Sequence, residues 1–384
     1  MQNIIQQDAA FRKAKAFQKA IDIYRKLWDK DPLQFNEWDG WSYAFCLKEM
    51  KMFAEGLDIC RQLYPRFKNS AFIKNLYAQC IYYSQIKTTP LPSLSIQKKA
   101  VRAMVDLAPP HQEYSLSGLA IFHLCKALMS LQPAPWAEIE SWLLIMDPDL
   151  LTQAPFRYRL PDGKPVESAS HQEQWYSYMI RVKAGLNQPN ELLKLLEEAK
   201  KRNIQWHYQN DIWFERKKAF AYVQLNQPEQ AKEILVNILK RKKDWFLYSD
   251  LGDVITGKDE KLKYYSLAAL GKGKIGMKIS LFEKIANLLA GSEEHSVARQ
   301  RHFLLIARIR LENGWPFQEK LEKILNEENI NLNAVNSAQE VFNQLIPFWN
   351  SFAKPPVNQQ KGVIDFIHGN GKSGIIKGED GQKY

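Results

Sequence analysis

Short side chains recur at fixed places in pairs of apolar-striped helices, and a proline closes each of the first two copies. In the first copy Phe17, Ala20, Tyr24 and Leu27 fall at helical spacing and Pro32 stops the helix. The next copy opens on Gly40-Trp41-Ser42-Tyr43-Ala44-Phe45, continues through Met52-Phe53, Gly56, Cys60 and Leu63, and ends at Pro65. Two helices of a hairpin approach closely only where a side chain is short, so Ala20, Ala44 and Gly56 mark expected crossing points. The clearest copy runs from Ile212 to Leu239, with Ala219, Tyr222 and Ala231 at its key positions. Asn226-Gln227-Pro228-Glu229 is its turn, with Pro228 suited to the first helical position. Asn187-Gln188-Pro189-Asn190 repeats that turn, and Leu251-Gly252 followed by Tyr264-Tyr265 suggests a further pair.

This pattern resembles the tetratricopeptide repeat (TPR), whose second helix carries an aromatic, a small residue, an aromatic, an apolar residue and a closing proline at these intervals. The resemblance implies an all-α fold, a right-handed α-solenoid of helical hairpins over residues 1–352. In such an array each hairpin leaves an apolar face that the next one buries, and the stack offers a groove to a protein or peptide partner.

Other stretches keep the helical period without the full pattern: Ser70–Ile86, Ile96–Leu107, Tyr114–Leu131, Trp136–Met146, Lys278–Ala290, Glu293–Glu312, Pro316–Asn326 and Ser337–Phe352. Gln153–Ser170 breaks it, and Pro161-Asp162-Gly163 predicts a turn or short hairpin there.

After residue 352 the character changes. Residues 353–360 read as a polar linker with two prolines. Residues 361–384 read as two short strands, Gly362–Ile367 and Ser373–Lys377, around a glycine-rich turn. Lys361-Gly362, Phe366, Lys372, Gly374, Ile376 and Glu379-Asp380-Gly381 resemble the opening of a cold-shock domain, a small OB-type barrel. That resemblance implies contact with RNA or single-stranded DNA, bases stacking on Phe366 while Lys361 and Lys372 meet phosphates. Ser373 and Ile375 stand where that family carries aromatics, and the sequence ends at Tyr384, near the start of the third strand.

Net charge is +11, and residues 200–278 carry 17 Lys/Arg against 9 Asp/Glu. Lys240, Arg241, Lys242, Lys243, Lys261 and Lys263, with Lys272 and Lys274, are therefore candidate phosphate contacts. No apolar run approaches the roughly 20 residues needed to span a bilayer, and no membrane contact is expected. The N-terminus lacks the apolar segment of a secretory signal. Cys46, Cys60, Cys80 and Cys125 form no Cys-x-x-Cys pair and lie in apolar helices, which suggests reduced buried thiols in a cytoplasmic protein and no metal.

Catalytic motifs are sparse. Gly369-Asn370-Gly371-Lys372-Ser373 imitates the end of a phosphate-binding loop, yet no helix follows to complete the cradle. Arg202 and His207 have the Arg-x4-His spacing of a class of helical ribonucleases; with Asn203 as the only polar neighbour, His207 reads as a helix-end histidine. The expectation is a non-catalytic, cofactor-free adaptor that holds a protein partner and contacts RNA or single-stranded DNA. The alternatives are a pure protein–protein scaffold and, more remotely, a helical ribonuclease.

Overall fold

The structure is a computed structural model that describes residues 11–12, 14–111, 115–353, 362–367, 369 and 374–378. Among them are seventeen α-helices and two two-stranded sheets. The chain divides into two compact units, residues 1–225 and 226–384, so the break falls in the turn at Asn226.

The first unit is a run of helices in which each packs on its sequence neighbour. It comprises α1 (Phe17–Lys30), α2 (Glu37–Glu49), α3 (Phe53–Leu63), α4 (Ala71–Ile81, prolonged by a wide π-type turn, Tyr82–Ile86) and α5 (Leu94–Leu107). Then come α6 (Ser117–Met129), α7 (Trp136–Leu143), strands β1 (Phe156–Arg159) and β2 (Pro165–Ser168), α8 (His171–Gly185), α9 (Pro189–Lys201) and α10 (Asn210–Gln224). Alternate helices also touch. α2 meets α4, the π-type turn meets α6, α6 meets α8, and α8 meets α10. That is the contact order of hairpins stacked in series, first helix beside first helix.

The short side chains sit where the helices touch. Ala20 and Ala44 are fully buried. A Cβ added at Gly56 would lie 3.2 Å from Cys80 Sγ and 3.6 Å from the Ala44 carbonyl, so this glycine serves close approach between helices. Tyr24, Trp28, Phe35 and Tyr43 fill the interior beside them, with ring centroids 4.9–6.3 Å apart. All four cysteines are free thiols and buried.

The second unit comprises α11 (Pro228–Arg241), α12 (Trp245–Val254), α13 (Lys258–Leu270), α14 (Ile279–Leu288), α15 (Ser296–Glu312), α16 (Glu319–Glu327), α17 (Ala338–Ala353), β3 (Gly362–Ile367) and β4 (Gly374–Gly378). Its first hairpins repeat the same device: a Cβ at Gly252 would lie 2.5 Å from the Tyr265 ring. The serial order then changes, because α17 packs on both α13 and α15. Trp349 of α17 is fully buried, and its ring stacks on Phe282 with centroids 5.8 Å apart. Strands β3 and β4 pair antiparallel with an irregularity between Ile364 and Phe366. Two paired strands are the only sheet structure among the described residues beyond 353. No helix among the described residues is long and apolar enough to cross a membrane.

Candidate functional site

A concave surface lies in the first unit, on α8 and α10 with the start of α7. Helix α8 begins at Ser170, whose hydroxyl accepts the Glu173 N–H at 3.1 Å, the first half of a capping box. Every third or fourth residue from there, His171, Gln174, Tyr178, Arg181 and Gly185, is only partly buried, so these form one face of the helix. At its far end Gly185 leaves no room for a side chain: a Cβ there would meet the Trp136 ring at 2.3 Å. Trp136 therefore lies flat against α8 and floors a groove of about 640 Å³. An adjoining cavity of about 250 Å³ shares Ala184, Lys217 and Phe220 with it.

The walls combine cations and rings. Arg181 donates to Asn210 Oδ1 at 3.3 Å and sits 5.9 Å from the Tyr178 ring centre. Arg216 lies over both Trp213 and Phe220, at 6.0 and 5.2 Å. Such contacts help to hold a guanidinium in place. Burial pushes the Lys217 ammonium below its usual pKa, and the charges of Arg181 and Arg216 push it the same way. Among the described residues, no Asp or Glu lines the groove. The arrangement is an apolar floor bordered by three cations, two of which repel the third.

A second polar cluster overturns the reading of His207 as a helix-end residue with only Asn203 for company. His207 lies in the loop between α9 and α10. The Glu173 carboxylate accepts its backbone N–H at 2.7 Å and faces ring Nδ1 at 2.6 Å. Glu167 of β2, itself paired with Arg157, faces Nε2 at 3.3 Å. Glu173, only 2% exposed, is where a capping-box glutamate would return to its own helix; it turns to His207 instead. Burial disfavours the charged imidazole, but Glu173 and Glu167 outweigh it and raise the His207 pKa. Arg202 is engaged elsewhere, in an ion pair with Asp149. A polar cleft of about 210 Å³ has Arg202, Asn203 and Glu173 in its wall, while the ring of His207 is not part of its lining. A histidine clamped between two carboxylates straps the β1–β2 hairpin to the helices; it is not set up as a free general base.

The predicted phosphate contacts divide. Lys240, Arg241, Lys242 and Lys243 lie at the end of α11 and in the link to α12. Lys240 donates to Asn237 at 2.9 Å, and Lys242 pairs with Asp244 at 3.3 Å. Lys261 and Lys263 are two apart on α13, so they point about 200° apart round its axis and share no face. Phe366 is 54% exposed on β3. Lys361 and Lys372 lie outside the described residues, as does the Glu379-Asp380-Gly381 turn. The sequence reading singled out neither Arg181, Arg216 and Lys217 nor the groove they line. The signal that could have found them was the Arg216-Lys217-Lys218 run beside Trp213 and Phe220.

Residues 212–347, which span most of α10 through most of α17, match a family model described as a domain of unknown function, DUF7017. No curated protein matches the sequence. Among solved structures the chain is similar to a thermophilic TPR protein of Thermus thermophilus, at 11% identity, covering 75% of this chain and 98% of that one with a TM-score of 0.22. It is similar to the TPR domain of P58(IPK) at 14% identity, covering 92% and 90% with a TM-score of 0.26. It is also similar to a chain of the Naa15/Naa10 complex bound to HypK, at 11% identity and a TM-score of 0.42. There the alignment covers 91% of this chain and 52% of that one.

Proposed function

We propose that the protein is a non-catalytic, TPR-like scaffold that holds an acidic segment of a protein partner in the groove on α8 and α10. One observation carries this reading: Arg181, Arg216 and Lys217 line an apolar groove that has no carboxylate among the described residues of its lining. A partly buried cation whose pKa is perturbed by burial and by neighbouring charge is a marker of a binding site. The four buried thiols suit a reducing compartment, the cytoplasm.

The test uses fluorescence anisotropy on the full chain. The probes are a labelled twelve-residue Glu/Leu peptide, its Gln/Leu counterpart and a single-stranded RNA of twelve nucleotides. The Glu peptide binds, more weakly as salt rises. Lys217→Glu removes the binding and Lys261→Glu leaves it. Equal binding of the Gln peptide contradicts the reading.

A second reading extends the scaffold to nucleic acid. In it residues 1–352 are a right-handed array, 353–360 a linker and 361–384 part of a cold-shock-like module. Phe366, 54% exposed on β3, favours it, since an aromatic ring on a strand offers a base a stacking surface. Phe366→Ala is then expected to weaken RNA binding about tenfold or more in a filter assay, at roughly 1–3 kcal/mol per stacked base. RNA binding that is absent, or indifferent to that change, removes this reading and leaves the first one standing.

A further inference from the structure

Lys217 stands where three helices meet: α8, α9 and α10 each pack on the other two. Two cavities open beside it, the groove of about 640 Å³ and its neighbour of about 250 Å³. Ala184, Lys217 and Phe220 belong to the lining of both. Lys217 is therefore on the ridge between them, partly buried, with a methyl group and an aromatic ring as its shared walls. Among the described residues, neither lining contains an Asp or Glu.

The other lysine of the smaller cavity is held differently. Lys183 donates to the Glu140 carboxylate and, at 2.8 Å, to Gln188 Oε1. Lys217 feels burial first and then the charges of Arg181 and Arg216, and no carboxylate among the described residues offsets them. Each of these disfavours the ammonium and favours the free amine. An apolar pocket and a neighbouring cation are the two circumstances that turn a lysine into a nucleophile.

We propose that Lys217 is an acylation site, modified at Nζ by a small acyl phosphate. The phosphate of such a donor is drawn to Arg181 in the groove wall, while its acyl group lies against Ala184 and Phe220. The Nζ lone pair attacks the carbonyl carbon. A C–N bond forms and the C–O bond to the phosphate breaks, its electron pair leaving on phosphate. The surplus proton of the amine passes to that phosphate, so no further reactant is needed. The product is a neutral amide on the ridge between the two cavities. Its formation takes one positive charge out of the groove and so releases an acidic segment held there. That consequence rests on the groove reading above; the acylation itself does not.

The experiment incubates the full chain with acetyl phosphate near neutral pH, to low conversion. The remaining amines are then blocked with isotopically heavy acetic anhydride, and mass spectrometry reads the rate at each lysine. Lys217 is expected to be acetylated about tenfold faster than Lys183 and the exposed Lys243 and Lys258, the factor that one unit of pKa makes in the free amine. Saturating inorganic phosphate is expected to slow Lys217 severalfold and to leave Lys258 unchanged. Arg181→Gln is expected to slow Lys217 as well, with an unaltered melting curve verifying its fold; the phosphate competition uses the unchanged chain and stands without the variant. A Lys217 rate no higher than that of Lys243 and Lys258, or one that phosphate does not slow, overturns the proposal and leaves the groove reading intact. Acetylation of Lys217 that leaves the affinity for the Glu/Leu peptide unchanged contradicts the groove reading and leaves the acylation site standing.

Discussion

The Trp349 indole N–H donates to Nε2 of His302 at 3.0 Å inside the second unit. The other ring nitrogen, Nδ1, donates to the Ala298 carbonyl at 2.7 Å. Both nitrogens are committed and His302 is fully buried, so the ring stays neutral; burial pushes its pKa down to about 4. A base whose folded pKa lies below its unfolded one takes up its proton first in the unfolded chain. Stability therefore falls as pH drops from about 6.5 to about 4, by on the order of 3 kcal/mol in full. Denaturant unfolding of the second unit followed across that window measures the loss. His302→Gln, which still offers the indole an acceptor, is expected to flatten the slope.

The strap at His207 has the opposite sign. Its pKa is raised in the folded protein, so the ion pairs with Glu173 and Glu167 contribute fully below about pH 6.5 and fade as pH rises through the raised value. Hydrogen exchange of residues 203–209 and of the hairpin is expected to quicken above that value. Glu167→Gln, which keeps the hairpin surface, is expected to weaken the pH dependence of the hairpin alone.

Gly252→Ala places a methyl 2.5 Å from the Tyr265 ring, whose hydroxyl is fixed by a 2.7 Å bond to Asp253. A ring held at both ends cannot step aside, so overpacking by about 1–3 kcal/mol is expected in chemical denaturation. At Gly163, where a Cβ meets nothing within 4 Å, the same change is expected to cost less, through backbone strain alone at φ +81°.

Lys217→Met is expected to separate stability from function. It removes a half-buried ammonium that Arg181 and Arg216 repel, and it keeps the apolar stem. The melting temperature is expected to rise, by an amount of order 1 kcal/mol in stability, while acidic-peptide affinity falls about tenfold or more. A fall in both contradicts the view that this charge is held for a ligand.

The helical pairs were legible because their crossing points are chemically narrow. Ala44 and Gly56, or Gly252 and Tyr265, leave a size signature in sequence, and the turns at Asn187 and Asn226 carry a left-handed residue before a proline. Helix α8 was harder to see. It buries Gln172, Glu173 and Ser177 along with Trp175, Tyr176 and Met179, so no clean apolar stripe marks it. The groove follows from α8 and was missed with it. His207 meets Glu173 and Glu167 across 34 and 40 residues, a distance at which spacing rules are silent. The place of α17 beside α13 and α15 was invisible for the same reason: a 3.6-residue period shows that a helix has an apolar face and not which helices will cover it.

Hydrogen–deuterium exchange of the full chain, with and without a saturating acidic peptide, locates the docking surface directly. The account predicts slowed exchange at residues 181–185 and 213–220. Protection confined to 240–243 and 362–367, with 181–185 and 213–220 unchanged, would place the site elsewhere and contradict it.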